Sequence, residues 1–510
     1  MEKKNNLAKS ATMIALFTLI SKGMGFLREI MIAYKYGSGM KTDTYFAAMT
    51  ATVLIMGTIG AALNTTLIPI FSEIRAKGGK NAQKIYLNNM LNIVFLITVA
   101  IAIFGYIFSP LIIKVLAKGF EGEQFDLAVK LNRIGMPIVI LLGFTYVLSG
   151  YLQSNEIFGP HAIMGIPYNL VFLMGLLFFV SSKNIQTLMV ISVLATLTQV
   201  LIQVPAVLNT KYRYKPRVNL KDPYLKKALI LVMPVLLGSA VSQINVIIDK
   251  TLASELVEGS MSALVYASRI NEMIISVFVA AIATVVFPML SKAFSNQDIK
   301  EIRAIFKKGV NIILLITVPA TVGIMLLGED LVRIFFERKA FDARATMMTS
   351  GALFYYSIGL IASALRLMLN KMFYSFQDTR TPMINGAIAV IINVILNLFF
   401  IRFMGHTGLA LATSLSAIVT TILLFIDLRS RIGKLGLTKI ALTFIKVSIS
   451  SAIMGVVVYL LYFKVGALLP DKTIVELLSL IVSVAIGMIT YFLLCIILKV
   501  EELGLVLKIK

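Results

Sequence analysis

Tryptophan is absent from this chain of 510 residues, cysteine occurs once and histidine twice. With Cys495 alone, neither an intramolecular disulfide nor a cysteine metal cluster can form. His161 and His406 stand near the ends of apolar segments, without metal-ligand spacing to each other, so nothing suggests a histidine-bound zinc centre. Charge is scarce as well: 14% of residues are charged, against about 25% in a typical soluble domain. No Gly-x4-Gly-Lys-Ser/Thr phosphate loop is found, so direct ATP hydrolysis has no support.

What is abundant is hydrophobic sequence, 58% of the chain. Taking about 20 apolar residues as the minimum for a membrane-crossing helix, spans are predicted near 8–34, 43–73, 86–116, 126–152, 159–181, 185–208, 225–254, 260–292, 304–327, 346–374, 382–402, 407–428, 440–463 and 473–498. That is fourteen, and an even number returns both termini to one side. No room remains for a soluble domain. The polar, basic start Met1 to Lys9 precedes a long apolar segment without an Ala-x-Ala site, which reads as a retained span.

The net charge of +23 does not call for nucleic acid, because the basic residues fall in short clusters between spans. One face collects Arg75, Lys77, Lys80 and Lys84; Lys211, Arg213, Lys215 and Arg217; Lys300, Arg303, Lys307 and Lys308; and Arg429, Arg431 and Lys434. Roughly 28 cations lie on this face and roughly 12 on the other, which by the positive-inside rule places both termini in the cytoplasm.

A weak duplication runs at an offset of about 220 residues. Met40, Tyr45, Pro69 and Ser72 are echoed by Met261, Tyr266, Pro288 and Ser291, and Tyr151, Gln153 and Pro160 by Tyr374, Gln377 and Pro382. The expected architecture is an all-α membrane protein with two pseudo-symmetric six-helix lobes, 1–210 and 224–432, around a central cavity. A basic cytoplasmic linker at 211–223 joins them, and a helix pair with a short tail at 433–510 closes the chain. Six spans per repeat preserve orientation, so alternating access would be a rocking of one lobe against the other.

Ionisable side chains inside such spans cost several kcal/mol by insertion scales and normally face a bundle interior or a wet cavity. In the first span Gly23 and Gly25 precede Arg28 and Glu29, and are expected to relax the helix as in the broken helices of transporters. Lys22 and Arg28 either snorkel to headgroups or face a cavity, and depth disfavours the first, since Arg28 is roughly twenty residues into the span. Asp43 begins the second span and reads either as a helix cap or as a cavity carboxylate. In the seventh span Ser242, Asn245 and Asp249 form one polar stripe. Asn393 and Asn397 in the eleventh and Thr413 in the twelfth could join Asp249 in a low-charge sodium site, or could serve interhelical hydrogen bonding. Arg269 and Glu272 either neutralise each other or face substrate. Arg366 is a further cation. Lys22, Arg28, Arg269 and Arg366 together suit an anionic substrate such as a phosphate or pyrophosphate.

Four segments carry a resemblance: Ser21-Lys22-Gly23-Met24-Gly25-Phe26-Leu27-Arg28-Glu29 continued through Gly37 to Phe46; Ser242-Gln243-Ile244-Asn245 leading to Asp249-Lys250-Thr251-Leu252-Ala253-Ser254; Ser268-Arg269-Ile270-Asn271-Glu272 leading to Pro288-Met289-Leu290-Ser291-Lys292; and Phe373 to Pro382. Together they resemble the MurJ/MviN family of lipid II flippases over nearly the whole chain. The resemblance implies movement of the undecaprenyl-pyrophosphate-linked peptidoglycan precursor between leaflets of the bacterial cytoplasmic membrane. It also implies a lipid-tail groove beside the C-terminal pair, a monomer, and no required cofactor besides an optional Na+. Arg28 and Arg269 match arginines that the family needs, Asp43 matches an acidic residue, and Asp249, Asn393, Asn397 and Thr413 fall where some relatives bind sodium. Lys22 and Glu29 stand where many relatives have Arg and Asp. Met56 and Gly57 occupy the region where some carry an arginine pair. The rival readings are a flippase for another polyprenyl-linked glycan, a cation-coupled drug exporter and a non-transporting scaffold.

Overall fold

Backbone polar groups in hydrocarbon must be satisfied within their own segment, which makes long apolar runs helical. A computed structural model describes residues 2–180, 184–276, 280–465 and 473–504, and among these residues helices and their connecting turns are found and no strand. Contacts divide the chain into two compact units, Met1–Ser262 with Arg338–Asp342, and Ala263–Glu337 with Ala343–Lys510.

The first unit holds α1 (Glu2–Tyr36), α2 (Met40–Ile107), α3 (Ser109–Leu116), α4 (Gly122–Gly135), α5 (Pro137–Ser154), α6 (Gly159–Ile163), α7 (Gly165–Phe178), α8 (Gln186–Leu201), α9 (Val204–Asn209), α10 (Pro223–Ser254) and the start of α11 (Ser260–Ile274). At 1.5 Å per residue the 68 residues of α2 would run about 100 Å, over three times the roughly 30 Å hydrocarbon core. Gly79 (φ 73°, ψ −175°) breaks it into two spans, in a conformation that favours glycine. Both halves serve as the centre of this unit, and α4, α5 and α10 pack against them. Phe71 is the pivot of the core, with the rings of Tyr86 and Tyr151 edge-on at 5.3 and 5.6 Å. Because α10 packs on α2 and α3, the contact division falls at 262 and not at the 211–223 linker that the duplication suggests.

The second unit continues α11 and adds α12 (Ala280–Ser295), α13 (Ile299–Phe336), α14 (Ala343–Ile358), α15 (Leu360–Ser375), α16 (Arg380–Met404), α17 (His406–Ile432), α18 (Leu437–Tyr459), a π-helical turn (Leu460–Val465) and α19 (Thr473–Ile497). Here α13 is central and touches α12, α14, α15 and α18. Helices α14 and α15 meet at 49°, and the bend lies at Gly359. A Cβ there would sit 2.6 Å from the Cα of Ser414 on α17, so only glycine permits this approach.

Each predicted span overlaps one helix or a consecutive pair. By length and composition, nine described helices suffice to cross a membrane, or ten if α14 with α15 is one bent span. The count is lower than fourteen partly because α2 enters it once, while α11 and α12, with 15 and 16 residues, are each too short.

Candidate functional site

Arg28 and its neighbours are built from α1 and α7. Helix α1 runs unbroken past Gly23 and Gly25, so the expected relaxation of the helix there is not found. Gly25 faces Asn169 on α7: a Cβ there would lie 3.9 Å from both amide atoms, an ordinary contact distance. Asn169 donates to the carbonyls of Ser21 (3.0 Å) and Gly165 (2.8 Å), and its oxygen accepts from Arg28 Nη1 at 3.2 Å. Arg28 Nη2 donates to Glu29 Oε1 at 2.7 Å. The rings of Tyr168 and Phe172 lie 5.5 and 5.2 Å from the guanidinium carbon, close enough for cation–π attraction. Two of the five N–H donors of a guanidinium are thus engaged by side chains, and the group is held by one amide, one carboxylate and two rings. Lys22, six residues earlier, is exposed.

Sequence reasoning missed Asn169, Tyr168 and Phe172. A signal for the first was available, since an amide in an otherwise apolar span usually finds an interhelical partner.

In the second unit Arg269 Nη1 and Glu272 Oε2 are 2.8 Å apart on one face of α11, with side chains 47% and 59% exposed. The mutual pairing weighed from the sequence is therefore realised, but in an exposed form that contributes under about 1 kcal/mol. Arg366 on α15 is partly buried and has no ion pair or hydrogen-bond partner among the described residues.

Asp43 makes a capping contact across the first unit. Its two oxygens accept from the backbone N–H groups of Gly259 and Ser262, both at 2.7 Å, so it caps the first turn of α11 and not of its own helix. The exchange is reciprocal, because Glu258 Oε1 accepts from the N–H of Met40 at 2.7 Å, in the first turn of α2. Ser38 completes the clasp, its hydroxyl donating to the Gly259 carbonyl at 3.1 Å and lying 2.8 Å from that of Ser262. Carboxylates are favourable at helix N-termini, where N–H groups lack partners. Asp43→Ala is expected to weaken this cap by about 1–2 kcal/mol, read as roughly 5- to 30-fold faster amide exchange at Gly259 and Ser262. Unchanged exchange at both amides would remove the capping role.

Of the four candidate sodium ligands, three are brought together: Asn397 donates to Asn393 Oδ1 at 2.9 Å, and Asn393 donates to Thr413 Oγ1 at 3.4 Å. Asp249 belongs to the first unit and accepts from Asn245 at 3.3 Å. The side chain of Ser242 lies outside the described residues. Where an arginine pair was sought, Met56 is fully buried against Ala102, Met136 and Val139, and a Cβ on Gly57 would meet nothing within 4 Å.

Nine or ten described helices long and apolar enough to cross a membrane define a multi-pass membrane protein. A multidrug resistance MATE family transporter of the MOP superfamily shares the fold (TM-score 0.68, 14% identity, covering 83% of this chain and 99% of that one). The chain belongs to the family of the lipid II flippase MurJ, whose family model matches residues 32–500. A probable lipid II flippase MurJ of Rhizobium tropici is 30% identical over 504 residues, covering 96% of this chain and 94% of its own length. A solved structure of lipid II flippase MurJ in an inward closed conformation superimposes with a TM-score of 0.81 at 25% identity, covering 95% and 98% of the two chains. The protein is accordingly a multi-pass protein of the bacterial inner membrane.

Proposed function

We propose that this chain moves lipid II from the inner to the outer leaflet by alternating access, with Arg28 and Arg269, helped by Lys22 and Arg366, holding the pyrophosphate. The observation that carries this reading is the Arg28 guanidinium, oriented by Asn169 and two rings with donors to spare. In the sequence these four cations outnumber their neighbouring carboxylates Glu29 and Glu272, and guanidinium forks match phosphate oxygens. The headgroup crosses inside the protein while the undecaprenyl tail stays in lipid. An open apolar depression of about 510 Å³ between α13 and α18, lined by Val322, Leu326, Gly455 and Tyr459 among others, supports a tail path beside the C-terminal helices. In this reading the repeats 1–210 and 224–432 form the two lobes and both termini are cytoplasmic. The protein works as a monomer, as a transporter and not an enzyme, with neither nucleic acid nor a required cofactor.

The test follows lipid II on the outer leaflet with an externally added enzyme that cleaves it, in cells depleted of their own flippase. Restored cleavage on expression of this chain is expected. No restoration by a well-expressed chain would point to another polyprenyl-linked glycan, and the Met56–Gly57 region, which lacks the arginines of some relatives, would be the first suspect.

We further propose sodium as the coupling ion, with the oxygens of Asn393, Asn397 and Thr413 and the carboxylate of Asp249 as its candidate ligands. If these hold Na+, saturating sodium at about 100 times its Kd stabilises the purified protein by about 2.7 kcal/mol relative to choline. Asp249→Asn is expected to erase that difference. Equal melting of the wild type in sodium and choline would remove sodium from the cycle.

A further inference from the structure

Helix α9 ends at Asn209 and α10 begins at Pro223. The segment between them carries Lys211, Arg213, Lys215, Arg217 and Lys221, with Asp222 as its only acid. The positive-inside rule accounts for the charge, but not for how tightly the segment is held.

Three asparagines on the second half of α2 grip it. Asn88 Oδ1 accepts from the Tyr212 hydroxyl at 2.7 Å and from the Lys215 N–H at 2.8 Å. Asn89 treats Asn219 as a neighbouring strand would, accepting from its N–H at 2.6 Å and donating to its carbonyl at 3.0 Å. Asn92 donates to the Arg217 carbonyl at 3.2 Å and accepts from the Tyr214 hydroxyl at 2.5 Å. Asn88 and Asn89 are themselves buried, so these bonds replace water and are costly to leave unmade. A linker that only had to span the distance would need none of them.

The consequence is a fixed strap. Residues 212–219 form neither helix nor turn, and Tyr212 is turned inward and buried. Every residue from Arg213 to Val218 is exposed, so the three cations and Val218 are open to the surroundings together. Beside them Val218 and Leu220 are 52% and 74% exposed. The strap follows directly on the end of a helix pair apolar enough to cross a membrane, Gln186–Asn209, and leads into α10, so its cations and bare aliphatic side chains stand next to a span end.

We propose that this strap is a binding surface for anionic phospholipid headgroups. Arg213, Lys215 and Arg217 pair with lipid phosphates while Val218 and Leu220 enter the acyl boundary, the combination by which basic amphipathic segments attach to membranes. The asparagine grip keeps the cations in place before lipid arrives, which lowers the ordering cost of binding.

The test titrates the full-length protein in neutral detergent with a fluorescent short-chain phosphatidylglycerol. Unlabelled phosphatidylglycerol is expected to compete, whereas phosphatidylcholine and inorganic phosphate are not, and affinity falls as salt rises. Arg213→Gln/Lys215→Gln/Arg217→Gln should bind at least tenfold more weakly, since each cation near an anionic surface contributes roughly fivefold, with unchanged elution and melting. Should that variant fail to fold, Val218→Ser/Leu220→Ser serves in its place with a several-fold loss. Equal competition by phosphatidylcholine, competition by phosphate at the same concentration, salt-independent binding, or full affinity in a folded variant would each overturn the proposal.

Discussion

Arg269→Ala is expected to abolish flipping while the protein stays folded and inserted. The Arg269–Glu272 pair is about half exposed, and such pairs contribute at most about 1 kcal/mol, so melting should move little. The functional loss is larger because a charge-assisted hydrogen bond to a phosphate oxygen contributes about 1.5–3 kcal/mol, which is roughly a 10- to 150-fold drop in substrate engagement. Cleavage of outer-leaflet lipid II in flippase-depleted cells reads the effect directly. Normal cleavage in a well-inserted variant would sink the assignment of Arg269 to the pyrophosphate.

Arg28→Ala should behave differently, though the same role is proposed for Arg28. Its side chain is 18% exposed and that of Glu29 only 4%, so truncation deprives a buried carboxylate of this ion pair. Removing one member of a buried pair typically costs about 3–5 kcal/mol, and the variant is expected to melt lower and accumulate poorly. Arg28→Ala/Glu29→Gln removes the buried charge together with its partner and should recover most of the stability without recovering flipping. Arg28→Lys keeps the charge but loses the fork that reaches Asn169 and Glu29 together. It should fold and flip poorly. Full flipping by the double variant would place Arg28 in the scaffold alone.

Hydropathy made the helices legible wherever an apolar run was bounded by polar turns, as at 382–402 and 407–428, which became Arg380–Met404 and His406–Ile432. Breaks inside runs were less visible. Helix α5 begins with Pro137, which cannot donate to the preceding turn. The bend at Gly359 depends on how close Ser414 comes, a fact of packing that no local pattern states. The charged residues were legible as a set because charge is conspicuous in apolar sequence. Their partners were not: Asn169 is 141 residues from Arg28, and the amides that Asp43 caps are 216 and 219 residues away. Local spacing could only offer Asp43 as a cap for its own helix or as a cavity carboxylate.

That separation shapes how the chain is made. When the start of α2 leaves the ribosome, the residues that complete its surroundings do not yet exist. Gly259 and Ser262 come more than 200 residues later, and Ala340, whose N–H reaches the Tyr34 carbonyl at 3.4 Å, comes later still. At 5–20 residues per second, residue 342 follows residue 43 by on the order of 15–60 s. The junction between the first two spans therefore waits through much of synthesis as an unfinished end, open to chaperones or to mispairing. Chains stalled before residue 262 should expose it to protease, and chains stalled beyond 342 should protect it.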